Sequence, residues 1–85
     1  MVEHDKDQKI FFMIEDGFKA FLRYEITDGR IDVLTTQVPE EISGRGIARN
    51  LMDECFRFAN ERSYEFVPKL SCSYARAYLL KKSRT

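Results

Sequence analysis

The most informative stretch of this chain reads Val38-Pro-Glu-Glu-Ile-Ser-Gly-Arg-Gly-Ile-Ala-Arg-Asn-Leu-Met-Asp-Glu-Cys55. Val38 ends a β-branched segment, and Pro39 stops strand pairing because it has no N–H to donate. Two glycines, Gly44 and Gly46, lie directly before a segment whose apolar residues recur at helical spacing. The stretch therefore predicts a strand, a glycine loop and a helix in direct succession.

A glycine loop that opens into a helix can bind an anion. The free N–H groups of the first helical turn and the positive end of the helix dipole point at one spot, and glycine has no Cβ to keep a phosphate from the backbone. Arg45 and Arg49 would flank that spot as phosphate partners, or would simply be solvated helix charges. The loop lacks the Lys-Ser or Lys-Thr of a Walker loop and the third glycine of a dinucleotide fingerprint. On this pattern alone, an anion site and a plain turn both remain open.

The composition predicts one small domain, residues 1–85, with residues 1–8 frayed. Lysine plus arginine and aspartate plus glutamate number 14 each, which argues against a general nucleic-acid binder. No apolar run approaches the roughly 18 residues of a membrane span, and the charged N-terminus carries no signal peptide. Two cysteines without an export signal predict free thiols in a cytoplasmic, reducing compartment. One histidine and two separated cysteines predict no metal site.

Three strands are predicted before the glycine loop, at residues 9–15, 18–26 and 30–38. Asp16-Gly17 and Asp28-Gly29 predict tight hairpins between them, which gives an antiparallel meander. The second strand alternates cleanly, with Phe21 as an apolar exception on its charged face. In the third strand, Ile31 and Val33 are assigned to one face and Thr36 to the other.

The second half of the chain predicts two helices around a short strand. The long helix covers residues 46–62, the strand 63–67 and the last helix 72–82. Cys55 lies on the apolar stripe of the long helix and is interpreted as a core residue. The single stripe predicts packing on one sheet face, so the fold class is α+β. A strand–helix–strand unit of this kind usually pairs its strands in parallel.

Several of these parts together resemble a known family. The sequence Glu41-Ile-Ser-Gly-Arg-Gly-Ile-Ala48 resembles the acetyl-CoA loop of the GNAT N-acetyltransferase superfamily, which reads Gln/Arg-x-x-Gly-x-Gly/Ala. Residues 8–80 are similar to a family of very short GNAT-like proteins with a Val-Pro before the loop, a second Val-Pro after the next strand and a cysteine before the last helix. The matching residues here are Val38-Pro39, Glu41, Gly44, Gly46, Val67-Pro68, Cys72 and Tyr78.

The resemblance implies a minimal acyl-CoA N-acyltransferase fold with acetyl-CoA as cofactor. It implies that the third and fourth strands run parallel and separate at Val38 to admit the thioester. Two departures from the family pattern are Ser43, where a basic residue is frequent, and Ala48, where a third glycine is frequent; Ser43 removes one phosphate contact. The implied cofactor-binding residues are Val38, Ile42, Ser43, Gly44, Arg45, Gly46, Ile47, Ala48 and Arg49.

Two side chains are candidate catalytic residues. Cys72 lies where the last helix should begin, and there the helix dipole makes a thiol more acidic. The resemblance implies that it lies beside the acetyl-CoA thiol end, as a nucleophile, a contact or an acetyl acceptor; a core or capping role is the alternative. The resemblance gives Tyr78 the role of protonating the leaving CoA sulfur, whereas a core tyrosine would pack its ring and leave its hydroxyl wet. Glu40 and Glu41 are capping residues or, through a water, a general base.

The preferred function is an acetyl-CoA-dependent N-acetyltransferase acting on an unidentified amine, with the thioester carbonyl held by a backbone N–H near Val38. The first alternative is a CoA-binding or acyl-CoA-binding module without catalysis, since so short a chain leaves the acceptor side open. The second is a small interaction domain, with Phe21 marking a protein or dimer contact. The expected assembly is a monomer or a weak homodimer, with neither nucleic acid nor membrane as partner.

Overall fold

A computed structural model describes residues 1–83 and, within them, five strands and two helices around one sheet. Strand order is β1-β2-β3-β4-β5; neighbours among the first four are antiparallel, and β5 runs parallel to β4. This order confirms the predicted α+β class of a minimal GNAT-like fold. The elements are β1 (Glu3–Asp5), β2 (Ile10–Glu15), β3 (Phe18–Thr27), β4 (Arg30–Gln37), a 3₁₀ turn (Glu40–Ile42), α1 (Ile47–Glu61), β5 (Glu65–Phe66) and α2 (Ser73–Ser83).

Both predicted Asp-Gly hairpins are present. Asp16 and Asp28 have φ of 52°, and Gly17 and Gly29 have φ of 80° and 76°. Two successive left-handed residues form the turn whose twist matches the twist of the flanking strands. The two hairpins therefore fix the register of β2, β3 and β4.

The prediction that residues 1–8 are frayed is wrong for Glu3–Asp5, which pairs with β2 as the edge strand. The ring of His4 stacks on Phe11 with centroids 4.0 Å apart, and its Nε2 lies 2.6 Å from the Tyr24 hydroxyl oxygen. A polar segment can thus be held in place because one aromatic side chain covers the core while the backbone completes a sheet edge.

A bulge in β4 changes which side chains face the helices. Val33 pairs with Tyr24, but the register then shifts and leaves Leu34 without an opposite residue. Beyond the bulge, Thr36 pairs with Leu22 and faces the same side as Val33. The sequence prediction placed Thr36 on the other face, and it is wrong because an extra residue reverses the alternation of side chains.

The core lies between one sheet face and both helices. Helix α1 buries one stripe against the sheet, as its periodicity predicted, and Cys55 on that stripe is fully buried. Helix α2 adds Ala75 and Tyr78 to the same core. The opposite face of the sheet is not covered by either helix.

Strands β4 and β5 separate early. Regular pairing is limited to Arg30–Ile31 with Glu65–Phe66 and ends with the bond from Val67 N–H to Ile31 C=O, 3.1 Å. The parallel direction agrees with the resemblance, but the separation begins before Val38. Pro68 follows Val67 and has no N–H for continued pairing.

Candidate functional site

The glycine loop presents an open helix N-terminus. Gly44 and Gly46 both have φ of 76°, in the left-handed region that favours glycine. Gly46 caps α1 without a side-chain hydrogen bond, and the first helical bond runs from Asn50 N–H to Gly46 C=O, 3.1 Å. The preceding N–H groups of Ile47, Ala48 and Arg49 point away from the helix body. They form the part of the loop that suits an anion.

The residues before the glycines fix the shape of the loop. Ser43 donates its N–H and its hydroxyl to the carbonyl of Glu40, at 3.1 and 2.9 Å, and Ile42 is fully buried. A cofactor therefore meets Ile42 only through its backbone. Glu40 and Glu41 are exposed in the 3₁₀ turn, and no acidic residue lies in the first turn of α1. The capping interpretation of these two carboxylates is therefore wrong for α1.

The two predicted phosphate-binding arginines point in different directions. Arg45 binds two carboxylates of the β2–β3 hairpin, Glu15 at 2.8 Å and Asp16 at 2.7 Å. Arg49, in the first turn of α1, instead lines a groove between α1 and α2. In this structure Arg49 therefore faces the groove between the helices, whereas Arg45 faces the β2–β3 hairpin.

Cys72 contacts β4 directly before the start of α2. Its backbone N–H donates to the carbonyl of Val33 at 2.9 Å, and its Sγ lies 3.5 Å from the hydroxyl oxygen of Thr36. The side chain is 9% exposed. Just before it, Ser71 donates its N–H and hydroxyl to Asp32, at 2.9 and 2.7 Å. Residues 71–72 thus dock on β4 beyond the point where β5 ends.

Tyr78 joins the two helices. The residue is 9% exposed, and its hydroxyl donates to a carboxylate oxygen of Asp53 on α1. Burial raises the pKa of Tyr78 above its ordinary value, and the hydrogen bond and negative charge of Asp53 raise it further. The ring packs in the core as the alternative expected, and the hydroxyl has a protein partner in Asp53. Tyr78 keeps its proton at neutral pH, and that proton is directed at Asp53.

The groove between α1 and α2 combines positive charge with aromatic surface. Its volume is about 330 Å³. Burial raises the pKa of Tyr74, with smaller effects from Arg49, Asp53 and Cys72, which places these four groups within electrostatic reach of one another. The lining residues are Arg49, Tyr74, Ala77, Tyr78, Lys81 and Lys82.

The structure thus brings Arg49, Cys72 and Tyr78 to one side of the molecule and leaves Arg45 on the hairpin. Sequence reasoning missed Asp53, although it lies four residues after Arg49 and hence on the same helix face. It also missed Thr36, for which the sequence carries no signal because the bulge sets its direction. The other thiol, Cys55, is a core residue as predicted, and burial raises its pKa to about 12.

Within residues 1–83 there is neither a metal-binding cluster nor a membrane-spanning helix. Within residues 1–83, no group of three or more histidine, cysteine, aspartate or glutamate side chains could hold a metal ion. Neither of the two helices in that range has the length and apolar character to cross a bilayer.

The order of the elements defines the class of an acyltransferase-like domain. A strand leads into an open glycine loop and a helix, and a parallel strand follows that separates early from its neighbour. The sequence profile of the GCN5-related N-acetyl-transferase family matches residues 10–85, and the chain belongs to that family. Protein NATD1 of Mus musculus is 35% identical over 81 residues, covering 92% of this chain and 72% of the relative. Protein NATD1 of Homo sapiens is also 35% identical, over 92% of this chain and 70% of the relative.

Proposed function

We propose that this protein is an N-acetyltransferase that takes the acetyl group from acetyl-CoA and passes it to an amine. The observation that carries the proposal is the position of Arg49. It belongs to the first turn of α1, behind the open N-terminus, and it also lines the groove between the helices. Arg49 therefore adjoins both the candidate anion site and an aromatic, cationic groove, the two parts that an elongated phosphate-bearing ligand would occupy.

The residues of the loop fit a phosphate group. A Cβ built on Gly44 or Gly46 would meet nothing within 4 Å, so the space beside the backbone is open. The N–H groups of Ile47, Ala48 and Arg49 would bind the pyrophosphate together with the Arg49 guanidinium. Lys81 and Lys82 add positive charge at the far end of the groove. Bound acetyl-CoA would supply an activated acetyl group as a thioester.

We assign the remaining steps to residues near the β4–β5 gap. The backbone N–H of Val38 would donate to the carbonyl oxygen as negative charge develops there. Cys72 would contact the reacting end of the ligand without attacking it, because its backbone holds β4 and its Sγ lies against Thr36. Tyr78 is the candidate proton donor to the leaving sulfur, and it would have to release its proton from the bond to Asp53.

Calorimetric titration with acetyl-CoA and with CoA tests the proposal. We expect roughly micromolar binding by the wild type, and at least about tenfold weaker binding by Gly46→Glu, which fills the space for phosphate and adds a negative charge. The matched control is Gly29→Glu, because Gly29 has the same φ of 76° and the same open surroundings but lies in the β3–β4 hairpin. No binding at millimolar ligand, or equal affinity in Gly46→Glu, would overturn the assignment of the loop.

Direct attack by the amine and a ping-pong route through Cys72 are separated by substitution. In the ping-pong route, the acetyl group leaves the CoA sulfur for Cys72 Sγ, the thiol proton goes to CoA, and the amine then displaces the cysteine. We propose direct attack, so Cys72→Ala keeps most of its rate on a reactive amine. Loss of all turnover in Cys72→Ala, with an acetylated Cys72 detected by mass spectrometry in the wild type, would favour ping-pong.

The second candidate function is a CoA-binding module without catalysis. The hydrogen bond from Tyr78 to Asp53 favours this function, because a tyrosine whose pKa is raised beside a carboxylate is a poorer proton donor. Micromolar CoA binding without turnover on a panel of primary amines would select this function over the transferase.

We also propose a cytoplasmic location. Cys55 and Cys72 are both free thiols in the structure, and free cysteines are typical of reducing compartments. Fluorescence microscopy of the tagged protein and cell fractionation would test this location.

A further inference from the structure

The sheet face opposite the helices carries an ordered row of side chains. The register of β3 with β4 places Leu22 and Tyr24 toward the helices, so the residues between them point to the uncovered side. These outward residues of β3 are Lys19, Phe21, Arg23 and Glu25. We name this row and its outward neighbours on β2 and β4 the open face.

The centre of the open face is aromatic. Phe21 pairs in register with Phe12 of β2, so the two residues are neighbours on this face. Lys19 Nζ lies 4.8 Å from the Phe12 ring centre, and the Arg23 guanidinium lies 5.8 Å from the Phe21 ring centre. Ile14, one step further along β2, is 61% exposed. Exposed apolar side chains grouped on one surface are typical of contact sites.

The charges of the open face are separated along β3. Lys19 lies toward the β2–β3 hairpin and Glu25 toward the β3–β4 hairpin, whereas Phe21 and Arg23 lie on either side of Leu22. Asp32 of β4 pairs with Glu25 and adds a second carboxylate at that end. Lys9 lies 3.6 Å from Glu25 and offsets part of this negative charge. The row is therefore basic at the Lys19 end, has the Phe21 ring and the Arg23 guanidinium in the middle, and is acidic at the Glu25 end.

We propose that the open face binds a second copy of this chain, as a face-to-face dimer with a two-fold axis across β3 near Leu22. Such an axis places two copies of β3 antiparallel to each other. Lys19 of each copy then faces Glu25 of the other, and Phe21 faces the other copy's Arg23.

A second copy fits this surface better than a partner of one charge. A strongly acidic partner would meet Glu25 and Asp32, and a strongly basic partner would meet Lys19 and Arg23. A second copy turned about the axis matches both ends at once, because an isologous interface repeats every contact twice. Equal numbers of acidic and basic residues, 14 each, also mean that two copies do not repel each other through net charge.

The helices and the candidate acetyl-CoA groove lie on the other face and remain free, so the inference is independent of the proposed activity.

Sedimentation velocity at increasing concentration, on the full chain, tests the dimer with two opposite charge reversals. Lys19→Glu places two glutamates in contact at both ends of the interface, and Glu25→Lys places two lysines there. Because each substitution counts twice, we expect either variant alone to raise the dimer Kd about tenfold or more. In an equimolar mixture, the first variant is acidic at both positions and the second is basic at both. Each end of a mixed pair then joins one acidic and one basic side chain, so dimers should form again.

The matched control for Glu25→Lys is Glu61→Lys, which makes the same charge change at the end of α1, away from the open face. It should dimerise like the wild type. Wild-type protein that stays monomeric at millimolar concentration would overturn the proposal and leave the open face to a different partner. A dimer that is unchanged by either reversal, or two variants that fail to associate when mixed although each remains folded by circular dichroism, would also overturn it.

Discussion

The hydroxyl of Tyr78 donates a hydrogen bond to the carboxylate of Asp53, and this bond links the two helices across the candidate groove. Tyr78 lies in the middle of α2, and Asp53 lies two turns into α1. The tyrosine ring is buried in the core, so its polar end needs a partner. Asp53 supplies that partner and at the same time makes loss of the tyrosine proton less favourable.

Replacing Asp53 should lower the pKa of Tyr78. Asp53→Asn keeps a hydrogen-bond acceptor but removes the charge, so the pKa falls toward its ordinary value of 10.0 while burial still holds it above that value. Tyrosinate absorbance measured against pH, with Tyr78→Phe subtracted to isolate this residue, reports the shift. Asp53→Ala should in addition reduce the free energy of unfolding by about 1–3 kcal/mol, because the buried hydroxyl then has no acceptor.

The same bond gives the stability a pH dependence with a definite sign. The folded pKa of Tyr78 is higher than the unfolded one, so its contribution is fully present below about pH 10 and is lost as pH rises above it. Asp53→Asn should therefore lose less stability than the wild type between neutral and strongly alkaline pH. An unchanged Tyr78 titration in Asp53→Asn would contradict the role given to this carboxylate.

Much of this fold was predictable because its local signals agree with one another. Asp16-Gly17 and Asp28-Gly29 predict left-handed turns, and the alternation along β3 predicts which face is buried; both predictions are confirmed. The bulge at Leu34 could not be predicted, since it arises from the way β3 and β4 pair over their whole length. The strand at Glu3–Asp5 was missed because its own sequence is polar and does not predict a strand. It forms because the edge of β2 offers backbone groups for pairing.

The candidate site was predictable in its backbone and less so in its side chains. Gly44 and Gly46 are recognisable because only glycine readily adopts the φ that this loop needs. The partner of Arg45, in contrast, depends on how the β2–β3 hairpin lies against the loop, which is a tertiary relationship. Spacing could not show that the hydroxyl of Tyr78 points at Asp53, since spacing assigns a face and not a contact.

Removing the carboxylates that hold Arg45 should strengthen acetyl-CoA binding. Glu15 and Asp16 bind the guanidinium at 2.8 and 2.7 Å and compete with any phosphate for it. In Glu15→Gln with Asp16→Asn, Arg45 is free to pair with phosphate, and we expect about three- to tenfold tighter binding by calorimetry at low salt. Asparagine suits the left-handed φ of 52° at residue 16, so the hairpin should keep its shape.

The control for this experiment is Glu41→Gln. It removes a negative charge beside the same loop without removing a contact of Arg45, and it measures the general effect of charge on ligand affinity. Arg45→Ala should leave binding near the wild-type value, because Arg45 is already engaged in the absence of ligand. If the double variant binds more weakly than the wild type, the ion pairs hold the loop in its binding shape instead of competing with the ligand.

Loss of the His4 ring should destabilise the protein and remove part of its sensitivity to acid. His4 Nε2 lies 2.6 Å from the hydroxyl oxygen of Tyr24, whose side chain is 2% exposed, and the ring also covers Phe11. His4→Ala leaves the buried hydroxyl without this partner, at a cost of about 1–3 kcal/mol in the free energy of unfolding. Urea denaturation at neutral pH measures the loss, and Glu3→Ala, in the same strand, controls for effects on strand pairing alone.

The sign of the acid effect follows from the pKa of His4, which burial lowers below 6.5, with further lowering by Lys6 and Arg62 and an opposing effect of Asp5. A histidine whose folded pKa is lowered contributes stability above pH 6.5, and that contribution is lost as pH falls through the folded value. The wild type should therefore lose stability below pH 6.5 faster than His4→Ala does. If the free energy of unfolding changes with pH equally in the two proteins over this range, His4 has the same pKa in the folded and unfolded chains. The neutral form of its ring would then not be needed for the packing of β1.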